Sequence, residues 1–283
     1  MTAVRPSDDR GMILLNVLAV VAVASAALLL MVSTEEFGID RTLSLREAAQ
    51  AQAFARGGEL SAVAALRRDM VEAPEVDHLR ERWAGIADDD VRIEGGRFSL
   101  SVADAQDRFN LNSVLSGGLV ARASLERVLA AAELPPVAAD AVIARLAATG
   151  PLGDIGALSA IGLDAASIDR LRPYATALPP DAGLNVNTAS GEVLGALLQN
   201  PIQGRLLAAR REATGFLTPA DLEGLGVAAP FGIAFTSDHY RITTEVQVGD
   251  TRQRVVSLLR RRRVDGVPEV VVVRRQREAA TMP

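Results

Sequence analysis

Residues 12–32 form an apolar run interrupted only by Asn16 and Ser25, and a short charged segment ending in Asp8, Asp9, Arg10 and Gly11 precedes it. About 20 apolar residues suffice for a helix to cross a bilayer core, so the run predicts a membrane-spanning helix at the start of the chain. A secretory signal would instead have a basic start, an apolar core of about 7–15 residues and a small-residue cleavage site after that core. Here a glycine stands before the core, although Ala22-Val23-Ala24 and Ala24-Ser25-Ala26 offer conventional cleavage sites. An uncleaved anchor is the third reading. Arg5 and Arg10 precede the run, Glu35 and Glu36 follow it, and the next arginine is Arg41. The positive-inside rule therefore leaves the N-terminus in the cytoplasm and exports the remainder.

With 283 residues and 49% hydrophobic content, the chain can bury a substantial core, as one large or two modest domains. Cysteine is absent, which excludes a disulfide framework, a thiolate metal site and cysteine catalysis. Lysine is absent too, so all 30 basic residues are arginine, and the net charge of -5 argues against a nucleic-acid binder, whose affinity rests on a basic surface.

Beyond the apolar run the chain is free of proline to about Met70, and Ala49, Ala53, Leu60, Val63, Leu66 and Met70 follow helical spacing. The spacing predicts that the anchor helix continues outward. Gly57 and Gly58 interrupt it and mark the place for a bend, at a cost of about 1 kcal/mol per glycine, and Pro74 ends it. Residues 91–94 and 97–102 alternate around the turn Gly95-Gly96, and alternation returns only at 240–248 and 252–259, joined through Gly249-Asp250. A further run, 269–273, follows Pro268. An isolated hairpin is marginal, so the two hairpins are expected to share one antiparallel sheet, with residues 104–237 inserted between them.

The insert reads as a bundle of short helices punctuated by Pro135-Pro136, Gly150-Pro151 and Pro179-Pro180. Two phrases echo one another, residues 152–162 and 216–226; each has an aspartate, Asp154 or Asp221, near a helix start and a closing glycine, Gly162 or Gly226. The aspartates suit helix N-termini and the glycines left-handed C-terminal caps. Asn110, Asn112, Asn185 and Asn187 suit turns fixed by side-chain to backbone hydrogen bonds.

Gly11 followed by Met12, Ile13, Leu14, Leu15, Asn16, Val17 and Leu18 resembles the class III signal of type IV pilins and pseudopilins, which a prepilin peptidase cuts after the glycine. The resemblance implies Met12 as the mature, N-methylated terminus. Most of that family carries glutamate at the fifth mature position, where it meets the free terminal amine of a neighbouring subunit; here the position is Asn16. A neutral amide does not compensate a buried ammonium, and lack of that glutamate is characteristic of the K-type minor pseudopilins of type II secretion. Residues 109–113, 184–189, 216–222 and 240–249 are similar, in that order, to phrases of the same group.

That resemblance implies an α+β fold: a long transmembrane helix packed on an antiparallel pseudopilin sheet, interrupted by a large all-α insert related to sterile-alpha-motif (SAM-like) domains. The organisation expected is a leader at 1–11, the span at 12–32, a discontinuous head at 33–103 and 238–263, the insert at 104–237 and an extension at 264–283 without an assigned role. It implies a nonenzymatic tip subunit of the secretion pseudopilus in the bacterial inner membrane, with a periplasmic body. The implied partners are the I- and J-type minor pseudopilins, the major pseudopilin and the prepilin peptidase, with no nucleic acid.

The competing reading is a membrane-anchored DNA receptor. The echoed phrases also resemble helix-hairpin-helix modules, and residues 184–194 resemble the opening of such modules in competence proteins. The corresponding hairpin, residues 199–204, lacks the Gly-x-Gly that aims backbone amides at phosphate, although Arg205, Arg210 and Arg211 are nearby.

No catalytic constellation stands out. His78 and His239, the only two histidines, lack metal-ligand spacing and read as surface or strand residues. Asp88, Asp89 and Asp90 offer the oxygens a calcium ion prefers, and calcium sites occur in relatives; a solvated turn before the strand at Val91 is the simpler reading, and no cofactor is expected. The arginines at 260–263 read as an exposed strand end able to meet acidic surfaces.

Overall fold

The computed structural model describes residues 9–72, 75–227 and 229–278, with the side chains of 9–14, 30 and 32–39 outside the description. Helix α1 (Asp9–Glu72) is 64 residues long and continuous. Its sequence holds no proline, so every backbone N–H can join the ladder. Gly57 and Gly58 do not interrupt the helix, and Gly58 serves packing instead. A β-carbon on Gly58 would come within 2.7 Å of the Phe98 ring.

The hairpin of β1 (Ala87–Ile93) and β2 (Gly96–Asp104) turns through Gly95, whose φ of 77° favours glycine. Between β2 and the return to the sheet lie β3 (Phe109–Asn110), α2 (Val114–Ala131), α3 (Val137–Thr149), α4 (Ala165–Leu171), β4 (Ala175–Thr176), β5 (Leu184–Asn185), α5 (Gly191–Leu197), α6 (Pro201–Thr214), α7 (Pro219–Gly224) and β6 (Ile233–Ala234). The chain then adds β7 (His239–Val248), β8 (Thr251–Val264) and β9 (Val267–Glu278). The antiparallel sheet has the order β1-β2-β7-β8-β9, so strands distant in sequence pair at its centre.

Helix α1 lies on one face of this sheet along Ala51, Ala55, Gly58, Ala62, Leu66 and Met70. Small residues on that stripe bring the helix axis close, and Leu66 packs into a cluster with Trp83, Leu100, Val102, Tyr240, Ile242 and Leu259. The phase matches the expected one at Leu66 and Met70, with Val63 packed beside them, and departs from it earlier in the helix. Ala49, Ala53 and Leu60 face outward, Leu60 at 67% exposure, because several alanine-rich faces satisfied the same spacing and contact with the sheet selected another.

The helical segment has its own core, which includes Leu111, Leu125, Leu129, Leu146, Leu158, Leu197, Leu207 and Leu217. Each echoed half is closed by a short parallel pairing, β3 with β4 and β5 with β6. Caps act where the sequence placed them: Asp154 Oδ1 accepts from Gly156 N at 2.7 Å, Thr218 and Asp221 form a capping box, and Gly162 is left-handed. At the crossing of α5 and α6, a β-carbon on Gly204 would lie 2.3 Å from the Gly191 carbonyl oxygen, so the two helices meet backbone to backbone.

Three strand assignments are corrected. Strand β8 runs on to Val264 and β9 covers Val267–Glu278, so residues expected beyond the head complete the sheet. The missed signal is Asp265-Gly266, whose φ values of 50° and 80° make a hairpin turn. Asp88, Asp89 and Asp90 belong to β1 at an irregularity in its pairing rather than to a turn before it, since Ser99 and Arg97 on β2 hold the second and third.

Candidate functional site

Two features of the molecule exceed what packing alone requires: the free end of α1, and a buried polar joint between its docked end, the sheet and the helical segment. Along the free end, Leu15, Val17, Leu18, Val20, Val21, Val23, Leu28, Leu29 and Met31 are exposed at 54–70%. Consecutive residues occupy all sides of a helix, so the apolar surface is a sleeve rather than a stripe, and such a helix is stable where other apolar matter covers it. Asn16 lies exposed within the sleeve. Gly11 and Met12 belong to the backbone of α1; the side chain of Met12 lies outside the described residues, as do residues 1–8 of the expected leader at 1–11. Among the described residues no helix is long and apolar enough to cross a membrane; of the predicted span 12–32, side chains are described at 15–29 and 31.

Arg261 is the centre of the joint. Strand alternation turns it toward α1, where Nη1 donates to Asp69 at 2.8 Å, Nη2 to Asp77, and Nε to the Ser237 carbonyl at 2.7 Å. Its guanidinium also lies 5.0 Å from the centre of the Tyr240 ring. Asp77 is fully buried and accepts further from Tyr240 Oη at 3.1 Å and Ser237 N at 2.6 Å. Burial raises the pKa of Asp69, partly offset by Arg261. The other arginines of the run have partners within the chain, although Arg262 and Arg263 are exposed as expected of a strand end: Arg260 pairs with Asp181, Arg262 with Glu269, and Arg263 donates to the Met70 carbonyl.

Asp104, at the end of β2, takes the joint into the helical segment. It accepts from Gln106 N, Thr188 Oγ1, Ser237 Oγ and Asn185 Nδ2 at 2.5–3.3 Å, yet burial pushes its carboxyl up to about 6. Gln106 Oε1 accepts from the backbone N–H groups of Asp238 and His239. His239 opens β7 fully buried, its Nε2 without a partner among the described residues, and burial then Arg260 push it down to about 4. His78 stacks on Phe216 at 5.3 Å between ring centres.

The four asparagines behave as their turns require. Asn112 bonds both polar groups of Leu152 and Asn187 both polar groups of Leu217, while Asn110 and Asn185 each cap the residue two positions on. Asp69, Asp77 and Glu81 are the carboxylates among the described residues close enough together to share a metal ion, but Arg261 already compensates two of them. Burial raises Glu81 to about 7, against the hydrogen bond from Trp83 Nε1. At residues 199–204, the hairpin of the competing DNA reading, Asn200 caps α6; of the arginines nearby, Arg210 pairs with Asp221 and Arg211 donates to the Val186 and Ala189 carbonyls.

Sequence reasoning passed over Asp69, Asp77 and Asp104 as partners and read Arg261 as part of an exposed strand end, whereas it is buried. Period-two alternation within the arginine run was the available signal, since it sends Arg261 and Arg263 to the α1 side and Arg260 and Arg262 to the other.

No protein-family model matches the chain. It is 31% identical over 296 residues to the type II secretion system protein K of Pseudomonas aeruginosa, covering 89% of each chain. It is 28% identical over 304 residues to the protein of the same name from Klebsiella pneumoniae, covering 89% of this chain and 93% of that one. Its fold matches a chain in the crystal structure of the GspK-GspI-GspJ complex from the enterotoxigenic Escherichia coli type 2 secretion system, with a TM-score of 0.65 at 19% identity, over 85% of this chain and 100% of that chain. The chain thus belongs to the type II secretion system protein K family.

Proposed function

We propose that this minor pseudopilin occupies the tip of the secretion pseudopilus and acts by placement rather than by chemistry. The observation that carries the reading is one uninterrupted helix that is bare and apolar at one end and docked on a sheet at the other. In this reading residues 12–32 span the inner membrane, a prepilin peptidase frees Met12 by cutting after Gly11, and Met12 is N-methylated. The sleeve then packs against the equivalent helices of I- and J-type minor pseudopilins and, below them, the major pseudopilin. Asn16 supplies no charge for the terminal amine of a subunit above, which suits a subunit with none above it.

The body stands in the periplasm. Residues 104–237 form a SAM-like insert, and the separate core of the helical segment supports treating it as a domain. Its position between two hairpins of one sheet favours a broad cap over a thin shaft. Deleting residues 104–237 in the full chain is expected to leave membrane insertion intact and to reduce secretion of folded substrates; secretion at the unaltered level would contradict the role given to the insert.

A further inference from the structure

The sheet face opposite α1 meets the helical segment across a cleft of about 240 Å³. Arg241 on β7, Leu258 on β8 and Arg274 on β9 stand in register, so the two arginines share this face. A bulge makes that possible. Val272 pairs with Leu259 and Arg274 with Leu258, leaving Val273 as the extra residue; without it, alternation would turn Arg274 toward α1. The same bulge sends Arg275 to the α1 side, where it holds Glu59 at 2.5 Å.

From the other wall come Arg108 and Arg172, tied together by a 3.0 Å bond from Arg108 Nη1 to the Arg172 carbonyl. These two have carboxylate partners in Asp107 and Asp169. Arg241 and Arg274 have neither an ion pair nor a side-chain hydrogen bond among the described residues. The acidic groups lining the cleft are already engaged, Asp154 in capping and Glu278 with Arg254. Burial, then repulsion from Arg108, lowers the pKa of Arg241, against the attraction of Asp107 and Asp104. A half-buried guanidinium that no carboxylate touches is costly, and its planar fork matches oxyanions in two-point contacts.

We propose that this cleft binds a small multivalent oxyanion of the phosphate or polycarboxylate class, held by Arg241 and Arg274 from the sheet and by Arg108 and Arg172 from the helical segment. The bound ion joins the helical segment to the outer sheet face and stiffens the connection between them. The cleft admits a small ion and excludes a folded partner.

The test is calorimetric titration of the full chain in nonionic detergent, in phosphate-free buffer at fixed ionic strength, with inorganic phosphate and separately with citrate. At least one of the two is expected to saturate a single site and raise the melting temperature, and which of them does so assigns the class. R241Q and R274Q are each expected to weaken that binding about tenfold or more, whereas R92Q on β1 leaves it unchanged. Without anion, R241Q is expected to melt at or above the unaltered chain, since it removes a half-buried charge that no carboxylate touches and that Arg108 and Arg274 repel; if that variant does not fold, R274Q decides. Absence of saturable binding by both ions, or binding indifferent to R241Q and R274Q, overturns the proposal.

Discussion

Asn112 and Asn187 each bond one distant peptide unit through both its N–H and its carbonyl, and so bring Leu152 and Leu217 to the two echoed turns. Those roles were legible because Asn-x-Asn has few uses other than turns. Arg261 was not: it sits in a run of like residues, and its partners Asp69 and Asp77 lie 192 and 184 positions away. Removing one partner of a buried ionic group costs about 3–5 kcal/mol, because the charges left behind lose their compensation. R261M is therefore expected to lower unfolding free energy by about that amount, and urea denaturation at neutral pH showing no loss would contradict the assigned geometry. Asp104 is a pH-dependent contributor. Its carboxyl is raised from 3.8 to about 6, so the folded state holds a proton that the unfolded state has released. Its contribution is greatest at acidic pH and falls as pH rises through that window. His239, lowered from 6.5 to about 4, acts in the opposite sense and gives up stability as pH falls. The stability of the unaltered chain relative to D104N is expected to decline between pH 4 and 6, where His239 is common to both; a difference independent of pH would contradict the raised value.

At the scale of elements, the strand pairs flanking Gly95-Gly96 and Gly249-Asp250 were readable from alternation and turn residues. The edge strand was not, since its bulge breaks the alternation at Val273 and its turn, Asp265-Gly266, follows a charged run. The helix α1 was readable as a helix, and in its phase at Leu66 and Met70, but not in the alanine-rich turns before them, because alanine offers little contrast between faces until a sheet selects one. The crossing of α5 and α6 is stricter than either helix alone. Replacing Gly204 with alanine gains about 1 kcal/mol of helix propensity, yet the added methyl meets the Gly191 carbonyl oxygen and the Gly195 backbone rather than a movable side chain. Overpacking costs about 1–3 kcal/mol and more against backbone, so G204A is expected to be net destabilising in thermal melts; an unchanged or raised midpoint would show that the helices can separate freely.

For the whole molecule, an insertion between two hairpins of one sheet was legible from the gap between alternating segments, because neither hairpin is stable by itself. How the helical segment meets the sheet was not legible, since the joint at Arg261 and the cleft at Arg241 are assembled from residues scattered over the chain. These contacts let the helical body be carried by the docked end of α1, while the bare end remains available for lateral packing. The account turns on how that bare end begins. Intact-mass and terminal-peptide mass spectrometry of the chain extracted from bacterial membranes is predicted to find a mature product that starts at N-methylated Met12. A product starting near residue 25 and free of the membrane, or one retaining Met1 and the charged leader, would contradict it.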